Sequence, residues 1–281
     1  MTCEKKGALM IDFMKMAGHG NDFIVINDLE GRIDLPWKNL APKWCARRTG
    51  IGADGILVVE QSSRAKFRMR IFNADGSEAE MCGNGARCIA GFAYTEGIAP
   101  ADMTFETVAG IIKASVDGCD AAIRLTDPRG YRSAFDVELL GERIEVSFIN
   151  SGVPHAIYFT DDVDNEQVES LGRAVRFNSL FKPEGTNVDF VQATGPRSIR
   201  VRTYERGVEA ETLACGTGAV ASALVSFLEK GLSGPSIDVA MPGGVLTVSF
   251  ERQGESFCNV WLKGVISYIY RGKIIQEGWR E

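Results

Sequence analysis

Cys82-Gly83-Asn84-Gly85-Ala86 and Cys215-Gly216-Thr217-Gly218-Ala219 write one C-G-x-G-A motif twice, 215 − 82 = 133 residues apart. Each copy has an acidic approach, Glu78-Ala79-Glu80 in one and Glu209-Ala210-Glu211 in the other, and opens into a small, apolar run. This spacing predicts two cysteines, each delivered from a Gly-rich turn at the start of a helix. A helix N-terminus offers unpaired N–H groups and positive potential, which bind anions and lower a thiol's pKa. Glycines let the backbone approach a ligand closely. Two such ends facing each other would hold a carboxylate and stabilise the charge that develops when the adjacent carbon loses its proton. A thiolate on one face and a thiol on the other would serve as general base and general acid.

The repeat runs well past the cysteines. Residues 18–26 (GHGNDFIVI) match 151–159 (SGVPHAIYF) at an offset of 133, and 52–59 match 185–192 at the same offset. Residues 109–112 and 243–246 differ by 134, and 70–73 and 202–205 by 132. A period this long means duplicated domains. Short β-branched or aromatic runs from 23–27 to 257–263, bounded by Gly, Asp, Asn or Pro, read as strands. Helices are expected over 84–96 and 217–230, with shorter ones over 37–49 and 165–175. The predicted class is α/β of the α+β type: two pseudo-symmetric domains, each a mostly antiparallel curled sheet around a central helix, with the active site in the interdomain cleft. The expected halves are 1–126 and 127–264. Residues 126–132, with Pro128 and Gly130, read as the crossing, and the segment 265–281, with a last strand over 265–271, returns to the first half.

Composition narrows the class. The 281 residues carry 31 Lys and Arg against 37 Asp and Glu, a net charge of −6, which is no nucleic-acid footprint. Residues 1–10 hold acid and base without an apolar core, so they read as no secretory signal. The longest apolar run, near 219–228, is too short to span a bilayer. The expected location is cytoplasmic, with neither membrane nor nucleic-acid partner. Seven cysteines form an odd set, expected to be reduced thiols. Cys82 and Cys88 are six apart but lack the companions of a zinc site, so no metal is expected. Cys3, Cys45, Cys119 and Cys258 default to small buried hydrophobes, and Cys88 to helix core. No lysine sits in a comparable Gly-rich setting, so pyridoxal phosphate is not expected, nor any other cofactor.

The blocks GHGNDFIVIND, GIGADGILVVE, RIFNADGSEAEMCGNGARC, SGVPHAIYF, GTNVDF and RTYERGVEAETLACGTGA resemble the diaminopimelate epimerase family along nearly the whole chain. The resemblance implies cofactor-free interconversion of LL- and meso-2,6-diaminopimelate, in lysine and peptidoglycan precursor synthesis, by a homodimer. By the same resemblance Cys82 and Cys215 match the two catalytic cysteines. Asn21, Asn73 and Asn187 match substrate contacts, and Gly83-Asn84 and Gly216-Thr217 the cradles for the reacting carboxylate. Glu205 and Arg206 match the pair that reads the distal amino-acid end, where Arg can grip a carboxylate bidentately. His155 matches a histidine that tunes the second cysteine; taken alone, a histidine after proline is equally a packed or capping residue.

The chain departs from the family at two positions. Val153 stands where many members have Asn in a G-N-P-H turn, and Gly55 where some have Gln; a backbone amide, a water or Asn150 could substitute. Rival readings are a proline or hydroxyproline epimerase, a thiol redox protein and a binding module without turnover. Proline-type members carry His where this chain has Asn84. The absence of C-x-x-C weighs against redox chemistry, and retention of both cysteines against a binding module.

Overall fold

The computed structural model describes residues 10–139, 141–254 and 256–275. In chain order its elements begin β1 (Met10–Gly18), β2 (Asn21–Asn27), α1 (Trp37–Trp44), β3 (Gly55–Glu60), β4 (Arg68–Asn73), β5 (Glu78–Ala79) and α2 (Gly83–Thr95). There follow β6 (Asp102–Thr107), β7 (Gly110–Asp117), β8 (Asp120–Arg124), β9 (Arg129–Leu139), β10 (Glu142–Asn150), β11 (Pro154–Phe159), α3 (Val168–Arg176) and β12 (Asn187–Gly195). The last are β13 (Ser198–Glu205), β14 (Ala210–Thr212), α4 (Gly216–Glu229), β15 (Ser236–Met241), β16 (Gly244–Gln253), β17 (Ser256–Val265) and β18 (Ser267–Ile275). The protein is thus a mixed, sheet-dominated α+β fold. It divides into two compact units: residues up to Ala121 with those from Ile266 onward, and Ala122–Val265.

Each unit repeats one order of strand pairing. In the first, β1 pairs antiparallel with β18 and β2, β2 parallel with β3, and β3 antiparallel with β4. Strand β4 then takes β5 antiparallel and β6 parallel, and β6 takes β7 antiparallel. In the second, β10 pairs antiparallel with β9 and β11, β11 parallel with β12, and β12 antiparallel with β13. Strand β13 takes β14 antiparallel and β15 parallel, and β15 takes β16 antiparallel. The parallel strands are buried runs, as strands covered on both faces must be. On one side of the first sheet, Ile24, Ile26, Ile56 and Val58 pack with Trp37, Leu40 and Trp44 of α1. In the second, Val188 and Phe190 pack with Val168 and Val175 of α3. The Gly-entry helices α2 and α4 are almost wholly buried.

Several elements differ from their sequence reading. Strand β1 was not expected; its MIDFMKMAG run lacks the β-branched density of its neighbours. Most of the expected crossing at 126–132 is the start of β9, an edge strand whose first residues are exposed, so it carries no alternating signature. The helix expected over 37–49 ends at Trp44. There the chain doubles back, and the Ile51 and Gly52 N–H groups donate to the Trp44 carbonyl at 2.9 and 3.1 Å. The helix expected from 165 starts at Val168, after a 3₁₀ turn at Val163–Asn165. Cys119 is exposed rather than buried, because it sits at the tip of the β7–β8 hairpin; Cys258 is half-buried, while Cys45 and Cys88 are buried. Cys3 and all but the last residue of the 1–10 segment lie outside the described residues. Among the described residues no helix is long and apolar enough to cross a membrane.

The ladders also correct the repeat register. Val58 pairs with Arg70, and Phe190 with Arg202. Since 190 − 58 and 202 − 70 both equal 132, β3 corresponds to β12 at 132, one less than the glycine turns suggested. Leu57 and Ile71 are therefore the counterparts of Asp189 and Thr203. Phe23, which pairs with Gly55 as His155 pairs with Asn187, is the counterpart of His155. An apolar trio in one unit is a polar trio in the other.

Candidate active site

Both motif cysteines occupy helix N-caps. Cys82 is extended (φ −141°, ψ 122°) before α2, and its Sγ accepts from the Gly85 N–H at 3.5 Å. Cys215 is likewise extended (φ −118°, ψ 109°) before α4, with its Sγ 3.5 Å from Thr217 Oγ1. The strand leading to each cysteine is clamped by the same device. Arg70 donates through Nε and Nη2 to Glu78 at 2.7 and 3.0 Å, and Arg202 donates to Glu211 at 2.7 Å from both nitrogens. Forked bonds of this kind fix direction as well as position. Each glutamate lies four residues before its cysteine, so the true counterpart of Glu78 is Glu211, not the Glu209 that heads the matching triplet. Arg70 and Arg202 align in the sequence, and each holds the glutamate that precedes its cysteine.

In the first unit the approach to α2 rests on a charged cluster. Lys15, only 5% exposed, pairs with Asp22 at 2.6 Å and bonds the Gly52 carbonyl. Arg47 forks onto Asp22 at 2.9 and 3.1 Å and reaches Asp54 at 2.7 Å. Burial pushes the Asp22 carboxyl up, and Arg47 and Lys15 more than reverse this to hold it below its ordinary value. Asp54 then accepts from Asn21 Nδ2 at 3.0 Å, and Asn84 Nδ2 donates to Asn21 Oδ1 at 2.7 Å. Asn21 and Asn84 are thus brought together beside Cys82. Asn73 is exposed at the end of β4, where its amide donates to Ser77 Oγ at 2.9 Å. Gly55 is closed to any side chain, because a Cβ there would lie 2.8 Å from the Phe72 carbonyl oxygen.

In the second unit His155 links three elements. Its Nδ1 lies 2.6 Å from Asp189 Oδ2, with both side chains fully buried, and its Nε2 lies 3.0 Å from Thr217 Oγ1. Asp189 also accepts from Thr203 Oγ1 at 2.6 Å. Asp189 was missed from sequence because it sits inside the apolar N-V-D-F-V run of β12; a charged residue in a buried strand was the available signal. A Cβ on Gly218 would lie 2.5 Å from Asp189 Oδ1, so only glycine lets α4 begin this close to the carboxylate. The buried Asn187 donates to the Pro154 carbonyl at 3.0 Å and accepts from the Arg206 N–H at 2.8 Å. Arg206 Nη1 reaches the Glu184 carbonyl at 3.2 Å. In the turn holding Val153, Asn150 Oδ1 accepts from the Gly152 N–H at 3.0 Å.

The expected lowering of the thiol pKa is not what surrounds Cys215. Burial pushes this thiol up, the Glu205 and Asp189 carboxylates add to the rise, and Thr217 opposes it. Burial also raises the Glu205 carboxyl. Buried Cys45 and Cys88 are raised by the same cause, from 9.0 to about 11 and about 12. All three thiols therefore keep their protons in the folded chain above pH 9, where the unfolded chain releases them. The folded state then binds more protons, so stability falls as pH rises from 9 through 11 to 12, by about 1.4 kcal/mol per pH unit for each thiol. Thermal midpoints measured from pH 8 to 11 should fall less steeply in Cys88→Ala than in the parent; parallel curves would refute the assignment.

The diaminopimelate epimerase family model matches residues 13–146 and again 147–268, one copy for each C-G-x-G motif. The chain belongs to the diaminopimelate epimerase family. A diaminopimelate epimerase of Aquifex aeolicus is 41% identical over 280 residues, covering 95% of this chain and 99% of its own. One from Caldanaerobacter subterraneus is 42% identical, covering 93% and 98%. Among solved structures, a phenazine biosynthesis protein of the PhzF family from Bacillus anthracis aligns with a TM-score of 0.73 at 16% identity, covering 95% of this chain and 99% of its own. A hydroxyproline epimerase from Agrobacterium vitis aligns at 0.66 and 15%, covering 96% and 92%. These distant structures share the family's fold. The close relatives make the protein an isomerase of the epimerase type.

Proposed function

We propose that this chain epimerises LL-2,6-diaminopimelate to the meso form without a cofactor, feeding lysine and peptidoglycan precursor synthesis. The observation that carries the proposal is a cysteine N-cap, on a buried Gly-entry helix, in each unit of a chain of this family. In this reading one thiolate removes the α-proton. The carbon's electron pair spreads into the adjacent carboxylate, and the other thiol returns a proton to the opposite face. One proton leaves and one arrives, so Cys82 and Cys215 exchange protonation states with each turnover.

The N–H groups of Gly83-Asn84 and Gly216-Thr217 cradle the reacting carboxylate and stabilise its growing charge. Asn21, Asn73 and Asn187 contact substrate, and Glu205 and Arg206 read the distal ammonium and carboxylate. His155 tunes Cys215 through Thr217, which lies between them. The buried setting of Cys215 favours its thiol form, ready to act as the acid. The proposed working form is a cytoplasmic homodimer.

Proton NMR of LL-diaminopimelate with the reduced protein in D2O tests the reading directly. Loss of the α-proton signal with appearance of the meso isomer, without added pyridoxal phosphate, is the expected result. Folded protein with free thiols that exchanges nothing would overturn it.

A further inference from the structure

Arg87 is the fourth residue after the Cys82-Gly83 step, and its side chain is completely buried. Burying a guanidinium is costly unless it is fully bonded, yet its Nε and Nη1 have no partner among the described residues. Only Nη2 is engaged, donating to Asn84 Oδ1 at 2.6 Å and lying 3.2 Å from His19 Nδ1. Packing does not demand this residue. At the same step of α4, 220 − 87 = 133 residues on, stands Val220, equally buried. An apolar solution exists in one unit, and the other retains a charged side chain with orphaned donors.

The bonds of Nη2 supply the reason. An arginine only donates, and burial lowers Arg87 only to about 10, so it stays charged at neutral pH. The Asn84 atom facing it must therefore be the oxygen, which turns Nδ2 toward Asn21. The Asn21 atom that meets this nitrogen must again be the oxygen, which turns its own Nδ2 to Asp54 at 3.0 Å. Asp54, held by Arg47 at 2.7 Å, only accepts. A donor-only group and an acceptor-only group thus close the two ends of one chain, leaving each amide a single orientation. In that orientation each NH2 group keeps one further N–H for a ligand.

We propose that Arg87 is a positioning residue that sets the polarity of the Asn84 and Asn21 amides, so that both offer N–H donors to a substrate carboxylate. This rests on the epimerase reading of the same site. Among the described residues of unit two the equivalent helix position is the apolar Val220, and the polar trio His155, Asp189 and Thr203 is carried on the strands.

A double-variant cycle tests it, read as kcat and KM for LL-diaminopimelate. Arg87→Met keeps the bulk and removes the donor, and is expected to lower kcat/KM by about 10²-fold, the scale of a misplaced contact. Arg87→Lys, which still donates, should recover about tenfold of that loss. In an Asn84→Ala background Arg87 has no amide to orient, so Arg87→Met should cost no more than about threefold further. Equal losses in both backgrounds, or no recovery with lysine, would mean a packing role and overturn the inference. If Arg87→Met does not fold, Arg87→Leu, which also lacks the donor, takes its place in the cycle under the same criteria. A parent protein that exchanges no α-proton removes the epimerase reading and this inference with it; an active parent with additive variants removes the inference alone.

Discussion

Cys82→Ala and Cys215→Ala are each expected to lower epimerisation of LL-diaminopimelate by at least about 10³-fold, the scale of losing a general acid or base. The two variants should differ in what survives. Each keeps one thiol, which can remove a proton from the face it meets and return one to the same face. One variant should therefore wash deuterium slowly into the LL isomer and the other into the inverted centre, both without inversion. Proton NMR of separate isomers in D2O reads this directly. Near-normal turnover by either variant would sink the two-thiol mechanism, and identical exchange of both isomers by one variant would place both proton transfers on a single side.

The second large effect is at Asp189. Its carboxylate is fully buried, 2.6 Å from both His155 Nδ1 and Thr203 Oγ1, and it abuts Gly218. Asp189→Ala strips two buried polar groups of their partner and should cost about 3–5 kcal/mol in urea unfolding. Asp189→Asn keeps the shape and can still accept from the imidazole, so it should cost much less. It removes a charge that helps hold the Cys215 thiol up. The sign follows: with that anion gone the thiol ionises more readily, and the onset of Cys215 alkylation by iodoacetamide should move to lower pH. An unmoved onset in folded Asp189→Asn would show that the dyad positions His155 without acting on the thiol.

Much of this was legible in the chain. The C-G-x-G-A pair and the strand–turn patterning located both Gly-entry helices and nearly every buried strand, because burial on both faces leaves dense β-branched runs such as ILVV at 56–59 and NVDFV at 187–191. Two long strands escaped. Strand β9 alternates weakly because few of its residues pack on a core, and β1 relies on methionines, which carry little strand preference. The polar wiring was also out of reach. Glycine turns suggested an offset of 133, and a slip of one residue moves every side chain to the other face. Only the ladder register shows that Phe23 and Leu57 stand where His155 and Asp189 do. Arg87 was visible inside the motif, but nothing in its neighbours announces a fully buried guanidinium.

Strand β18 adds an order of events. Met10 pairs with Ile275, a separation of 275 − 10 = 265 residues, whereas the second unit is built from the unbroken stretch Ala122–Val265. The second unit can therefore close on contacts of its own while β1 still waits for its neighbour. Contacts this distant in sequence form late and slowly. The sheet that carries Cys82 is the last to be sealed, and an arrested nascent chain ending near residue 265 would present the β1 edge to whatever chaperone meets it first.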